Sequence, residues 1–149
     1  MSRYAQGTTV TVASSRGEIS GILARHGVER MGWQTGPEGD ELLFEMGGNS
    51  FRFQIIKPTA KGLWEQWKAD GKSETALKFL PNADQVEAEW RRRWRANVLL
   101  LKAKLEFIAS GDTTLERELL PYMLTAGGQT VGELVVAGKL PMLAARAGR

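Results

Sequence analysis

Two neighbouring segments in the first half of the chain alternate between inward and outward positions. Leu42, Phe44 and Met46 are interleaved with Leu43 and Glu45, and Phe51, Phe53 and Ile55 with Arg52 and Gln54. A period of two places each apolar set on one side of a β-strand. Gly47-Gly48-Asn49-Ser50 separates the two segments. A hairpin closed on Gly48-Asn49 sets Met46 opposite Phe51, Phe44 opposite Phe53 and Leu42 opposite Ile55, with Glu45 meeting Arg52 on the other face. A slip of one residue would turn the aromatic rings to water, so the pattern specifies which face is buried. Residues 28–35 predict a further strand with Met31 and Trp33 on one face, and Gly36-Pro37-Glu38-Gly39 is turn chemistry. Residues 8–13 (TTVTVA) are rich in β-branched side chains and predict a first strand.

Elsewhere the period is helical. Ile19, Ile22, Leu23 and His26 form one stripe, with Ser15 and Glu18 at capping-box spacing and Gly27 as the stop. Residues 84–109 predict the longest helix, capped by Asn82 or Asp84 and ended by Gly111. Its stripe is Val86, Trp90, Trp94, Asn97, Leu101, Leu105 and Ile108. Leu99, Leu100 and Phe107 widen that stripe, which predicts a middle covered on more than one side. Thr113 with Glu116, and Thr130 with Glu133, repeat the capping-box spacing and predict two short helices, the first ended or kinked at Pro121. Gly138 and Pro141 interrupt the last segment, and residues 144–149 are expected to fray. Between sheet and helices, residues 58–82 carry Pro58, Gly62, Gly71 and Pro81 and predict an irregular connection, with a turn of helix around Trp64 and Trp67.

The expected fold is therefore α+β. A small antiparallel sheet in the order strand, helix, three strands packs against a long helix, and two short C-terminal helices follow. Residues 1–149 form one domain, divided into a sheet half (1–57), a connection (58–82) and a helical half (83–149). The α-β-β-β-α part of this order is shared with double-stranded-RNA-binding domains, but the lysine-rich helix start that those domains use on phosphates is missing, so the likeness is one of topology.

Composition narrows the chemistry. The chain has no cysteine, which removes disulfides, thiolate catalysis and Cys/His metal sites, and it has a single histidine. The longest apolar run, Val98 to Leu101, is far short of a membrane span, and no signal peptide is recognisable. The expectation is a soluble cytoplasmic protein with no membrane partner. His26 reads as a helix-end residue interacting with terminal carbonyls. Ser15 reads as a cap, not a nucleophile. Glu38, Asp40, Glu41 and Glu45 read as turn and ladder residues rather than ligands of a catalytic cation. Gly47-Gly48 is followed by a strand and lacks the Lys-Ser/Thr of a phosphate-binding loop. The residues thus point to no catalytic group, metal or cofactor.

The net charge of +3 is concentrated: residues 83–110 hold six basic and four acidic side chains. Trp90-Arg91-Arg92-Arg93-Trp94-Arg95 mixes the phosphate-binding guanidinium with the base-stacking indole. The helical period places Trp90 and Trp94 in the core stripe. Arg91, Arg92 and Arg95, extended by Lys102, are expected to form a solvated basic face, with Glu87 or Glu89 one turn back as partners. Trp64 and Trp67 either fold back on the core or form the centre of a protein interface.

Residues 8–33, 90–124 and 127–135 resemble a group of short uncharacterised proteins encoded in bacteriophage and prophage genomes. The resemblance implies a phage setting in the host cytoplasm, hence DNA metabolism or interference with the host, and assigns no catalytic residue. Two functions are expected. One is a non-catalytic accessory protein that binds nucleic acid through Arg91, Arg92, Arg95 and Lys102. The other is an inhibitor that binds a host protein or ribonucleoprotein complex of anti-phage defence through Trp64 and Trp67.

Overall fold

The alternating segments form a hairpin, displaced by two residues from the expected register. In a computed structural model, which describes residues 3–143, β2 (Gly39–Met46) pairs with β3 (Asn49–Ile56). Met46 lies opposite Asn49, Phe44 opposite Phe51, Leu42 opposite Phe53 and Asp40 opposite Ile55. The turn is Gly47-Gly48, with φ of 59° and 79°, the left-handed pair that suits a two-residue hairpin turn. Asn49, expected in the turn, begins β3 instead. A shift of two preserves parity, so the buried face is the predicted one. Leu42, Phe44, Phe51, Phe53 and Ile55 are all buried, and Phe44 stacks on Phe51 and Phe53 at 5.1 and 5.9 Å between ring centres.

The outer face changes more. Arg52 lies opposite Leu43, not Glu45. Glu45 faces Arg30 at 3.9 Å, whereas Arg52 binds the Glu133 carboxylate and donates to the Gly128 carbonyl at 3.2 Å.

A third strand, β1 (Arg30–Gly36), runs antiparallel to β2 from Arg30 opposite Glu45 to Gly36 opposite Gly39, giving the order β1-β2-β3. The predicted turn joins them. At Gly39, with φ of 143°, a Cβ would stand 2.2 Å from the Ile55 carbonyl oxygen, so the close approach of β3 demands glycine.

There is no strand at residues 8–13. Residues 8–10 are irregular, and α1 (Val12–Arg25) begins within the expected strand. Thr11 is its cap, its hydroxyl oxygen accepting from the Ser14 N–H at 3.1 Å. The β preference of TTVTV expresses a fit to a pleated neighbour, and no neighbour is present there. Ser15, expected as the cap, is fully buried inside the helix. Gly27 does adopt the left-handed conformation, at φ 78°. The His26 side chain does not serve the helix carbonyls: its Nε2 lies 3.5 Å from the Glu106 carboxylate on the long helix.

The connection at 58–82 is largely helical. It holds α2 (Ala60–Ala69), capped by Thr59, and α3 (Glu74–Leu77), capped by Ser73. The long helix α4 (Ala83–Ser110) starts from a reciprocal Asn82–Gln85 capping box, so Asp84 is not the cap. It ends on left-handed Gly111. Trp90, Trp94, Val98, Leu101 and Leu105 are buried along it. Its other side is not covered: Leu100 and Phe107 are 40% and 57% exposed.

The short helices α5 (Leu115–Leu119) and α6 (Val131–Val136) follow, with a 3-10 turn at Leu120–Tyr122 carrying Pro121. Thr114, not Thr113, caps α5 by accepting from the Arg117 N–H. Thr130 and Glu133 form the expected capping box of α6. The tail expected to fray, 144–149, lies outside the described residues.

Helices α1 and α4 lie together on the buried face of the sheet. Their shared core joins Ile19, Ile22 and Leu23 to the hairpin aromatics and to Trp94. Trp94 is 0% exposed. It meets Trp33 of β1 at 5.1 Å and Trp90 edge-on at 5.9 Å. Replacing Trp94 with alanine is expected to lower stability by about 3–5 kcal/mol, the range for deleting a large buried aromatic. Urea denaturation followed by circular dichroism checks this, and a loss below 1 kcal/mol would contradict the placement.

Candidate binding surface

Residues 87–95 of α4 carry six charged side chains within about two and a half helical turns, and most of the cations find carboxylates inside the molecule. Glu89 is the hub. It is 8% exposed. It accepts two hydrogen bonds from Arg92, both at 2.9 Å, and a third from Arg93 at 3.1 Å. The two guanidiniums reach further: Arg92 donates to the Tyr4 carbonyl at 3.0 Å and Arg93 to the Ile56 carbonyl at 2.8 Å. One buried carboxylate thereby ties the helix start to the N-terminal segment and to the end of β3. Burial alone would raise the Glu89 pKa. The hydrogen bonds from Arg92 and Arg93, helped by their charges, outweigh it and hold the carboxyl below the ordinary 4.5.

Arg95 points the other way and pairs with Glu18 of α1. The expected continuous basic face is therefore divided. Arg92 lies on the side of α2 and α3, Arg95 lies against α1, and both are largely covered. Arg91 is half-buried and Lys102 exposed, and neither has an ion-pair partner among the described residues. The sequence allowed Glu89 as a partner for these arginines. It gave no sign of Glu18, which is 77 residues away from Arg95.

Trp64 and Trp67 sit on α2, both half-buried. The Trp64 indole N–H donates to the Leu77 carbonyl at 3.0 Å, clamping α3 to α2, and the Lys68 ammonium lies over its ring at 4.3 Å. Trp67 forms one wall of a polar hollow of about 350 Å³, completed by Arg3, Asp70, Lys72, Glu89 and Arg92. Here the structure brings together one tryptophan and one arginine from the two expected groups. Within the hollow, however, Arg3 is bound by Asp70 and Arg92 by Glu89, so their charge is already compensated.

Two residues that periodicity did not single out stand beside this region. Phe79 and Leu80, between α3 and α4, are 72% and 57% exposed. The signal available in sequence was an adjacent apolar pair immediately before Pro81 that belongs to no stripe.

The hairpin carboxylates are dispersed. Asp40 is buried and accepts from Arg16 at 3.1 Å, and the same guanidinium lies 5.1 and 5.3 Å from the Trp33 and Trp94 ring centres. Glu41 accepts from Gln54 at 2.9 Å. Among the described residues no three Asp, Glu or His side chains converge as a metal site would require, and no helix is long and apolar enough to cross a membrane.

Compared with protein-family models, curated proteins and solved structures, the chain finds no match.

The Glu89 hub makes a pH-dependent prediction. A carboxyl whose folded pKa lies below its unfolded value stabilises the fold above the unfolded pKa and loses that contribution as pH falls through the folded one. Stability should therefore fall as the pH drops below about 4.5. Glu89→Gln should cost about 3 kcal/mol at neutral pH, because two guanidiniums lose their shared counter-charge, and should flatten this acid limb. Denaturant titrations from neutral to acid pH check both. Parallel curves for parent and variant would show that Glu89 carries no such coupling.

Proposed function

We propose that the chain is a non-catalytic binding protein whose target is another protein, engaged through the α2–α3 segment and the loop into α4. The observation that carries this reading is the exposed pair Phe79-Leu80, which follows closely on the Leu77 carbonyl bound by half-buried Trp64. Apolar groups rimmed by polar ones are the composition of an interface centre, and Lys68, Lys72, Glu65 and Asp70 supply such a rim on the same segment. The short helices are locked by Thr59, Ser73 and the Trp64–Leu77 hydrogen bond, so little ordering entropy would be lost on docking. In the phage setting that the sequence resemblance implies, the target would be a host defence complex, which the protein would block by occupancy.

Nucleic-acid binding is the second reading, and what supports it is narrower than the sequence alone implied. Phosphate contacts need guanidiniums and ammoniums that are free to desert their partners, and Arg92 and Arg95 are held by Glu89 and Glu18. Arg91 and Lys102 remain for such contact. Replacing Arg91, Arg92 and Arg95 together would disturb the fold, so the discriminating variant is Arg91→Gln with Lys102→Gln.

Capture from a host lysate, with and without nuclease, separates the readings. The protein reading expects one specific host protein retained after nuclease and lost from a Phe79→Ser/Leu80→Ser variant whose melting curve matches the parent. The nucleic-acid reading expects direct binding with a slope of log K against log salt near −2, for about two phosphates, flattened by the Arg91/Lys102 pair of changes. Retention that is unaffected by the Phe79/Leu80 variant would rule out the proposed surface.

A further inference from the structure

The two edges of the sheet are treated differently. Along β3 two of the four outward carbonyls are occupied: that of Ser50 accepts from the Leu124 N–H at 2.8 Å, and that of Ile56 accepts from Arg93. Along β1 nothing comparable occurs. Gly36 and Gly39 close the β1–β2 turn, so Arg30, Gly32, Gln34 and Gly36 direct their backbone groups toward β2. Met31, Trp33 and Thr35 direct theirs away from the sheet. None of these three appears in a backbone hydrogen bond outside the strand pairing among the described residues. Six of the seven β1 residues are exposed. Apart from Arg30 at its start, the strand carries few of the usual protections of a free edge: it has no lysine and no proline, and no segment among the described residues covers it.

We propose that β1 is a self-association edge, at which two copies of the chain pair antiparallel about a two-fold axis through Trp33 to give one six-stranded sheet. The inference is independent of the protein-binding surface on α2 and α3. Three features favour a second copy as the occupant. First, the strand is self-complementary. With Trp33 opposite Trp33 of the second copy, Met31 faces Thr35 and Thr35 faces Met31. All three outward residues then exchange both of their hydrogen bonds. Second, this register buries Met31, a 38% exposed side chain, against a β-branched neighbour. Third, the charges fit. Arg30 is the only charged residue of β1, and its side chain is 82% exposed. It would lie opposite Gly36 of the second copy, two residues from exposed Glu38 in the turn, and its long 3.9 Å contact with Glu45 of its own chain leaves it able to reach there. The two copies of Arg30 stand at opposite ends of the ladder, about 20 Å apart at 3.3 Å per residue, beyond the screening length of physiological salt.

The test is sedimentation equilibrium of the full chain at micromolar concentrations, paired with amide exchange. The expected result is a dimer, with the amides of Met31, Trp33 and Thr35 exchanging more slowly as concentration rises. Thr35→Pro removes one outward donor while leaving the β1–β2 ladder intact, and should yield a folded monomer by circular dichroism. Glu38→Arg faces Arg30 of the second copy with a like charge, leaves the Arg30–Glu45 pair of its own chain in place, and should weaken the dimer about tenfold, the sum of two symmetric pairs. Adding Arg30→Glu to it should restore most of the loss in dimerisation, a rescue that only self-pairing in this register predicts. A monomer at every concentration, or a dimer untouched by Thr35→Pro, would overturn the proposal. Failure of the charge swap to rescue would overturn the register. Protection of the three amides only on adding another protein would assign the edge to that protein instead.

Discussion

The fold depends on how one indole is buried. Trp94 sits where the long helix crosses the sheet, against Trp33 of β1, Trp90 of its own helix and the Arg16 guanidinium of α1. β1 is otherwise a strand with little hold on the helices, since Met31, Gln34 and Thr35 face water. Trp33 is the side chain by which it joins the core, and Trp94 is what it joins. Arg16 completes the arrangement by pairing with buried Asp40 while lying against both rings. A charge is thus accommodated at the core's edge without being stranded, because the carboxylate and the two aromatic faces replace the water it gives up.

The polar start of α4 does a similar job by different means. Glu89 fixes two arginines, and those arginines hold the carbonyls of Tyr4 and Ile56. A cluster that reads in sequence as a surface for anions is in large part a clamp on the protein's own backbone. Guanidinium suits this role because its planar fork binds a carboxylate with two donors and still has others to spend on a carbonyl.

Much of the architecture was legible because it rests on short-range rules. The hairpin's buried face follows from parity alone, and the cap at Thr130 from the spacing of side chains that can serve one another's N–H groups, while Asn82 was one of two candidates for the start of the long helix. The failures share a cause, which is dependence on something distant or absent. The register slipped by two because parity cannot distinguish one glycine-containing turn from the next. Residues 8–13 had strand composition but no strand to pair with. Arg95 was assigned to solvent because its partner lies on another helix, and Arg52 to Glu45 because Glu133 was out of view. Of the candidate site, the half-buried state of Trp64 and Trp67 lay within the expected alternatives. The exposed Phe79 and Leu80 belong to no periodic stripe, so the period that reveals helices and strands carries no signal of them.

The partly occupied edge of β3 has a consequence for assembly. A sheet with two open edges can add copies indefinitely and grow into a fibre, because every addition exposes a fresh template. Here the segment around Met123 and Leu124 lies along one margin, through the bridge between Phe51 and Met123. That contact closes the start of β3 to a further strand, so the two margins of the sheet are not equivalent. A strand added at β1 would meet a partly covered margin on the far side of the sheet, which hinders the repeated edge-to-edge addition that fibres require.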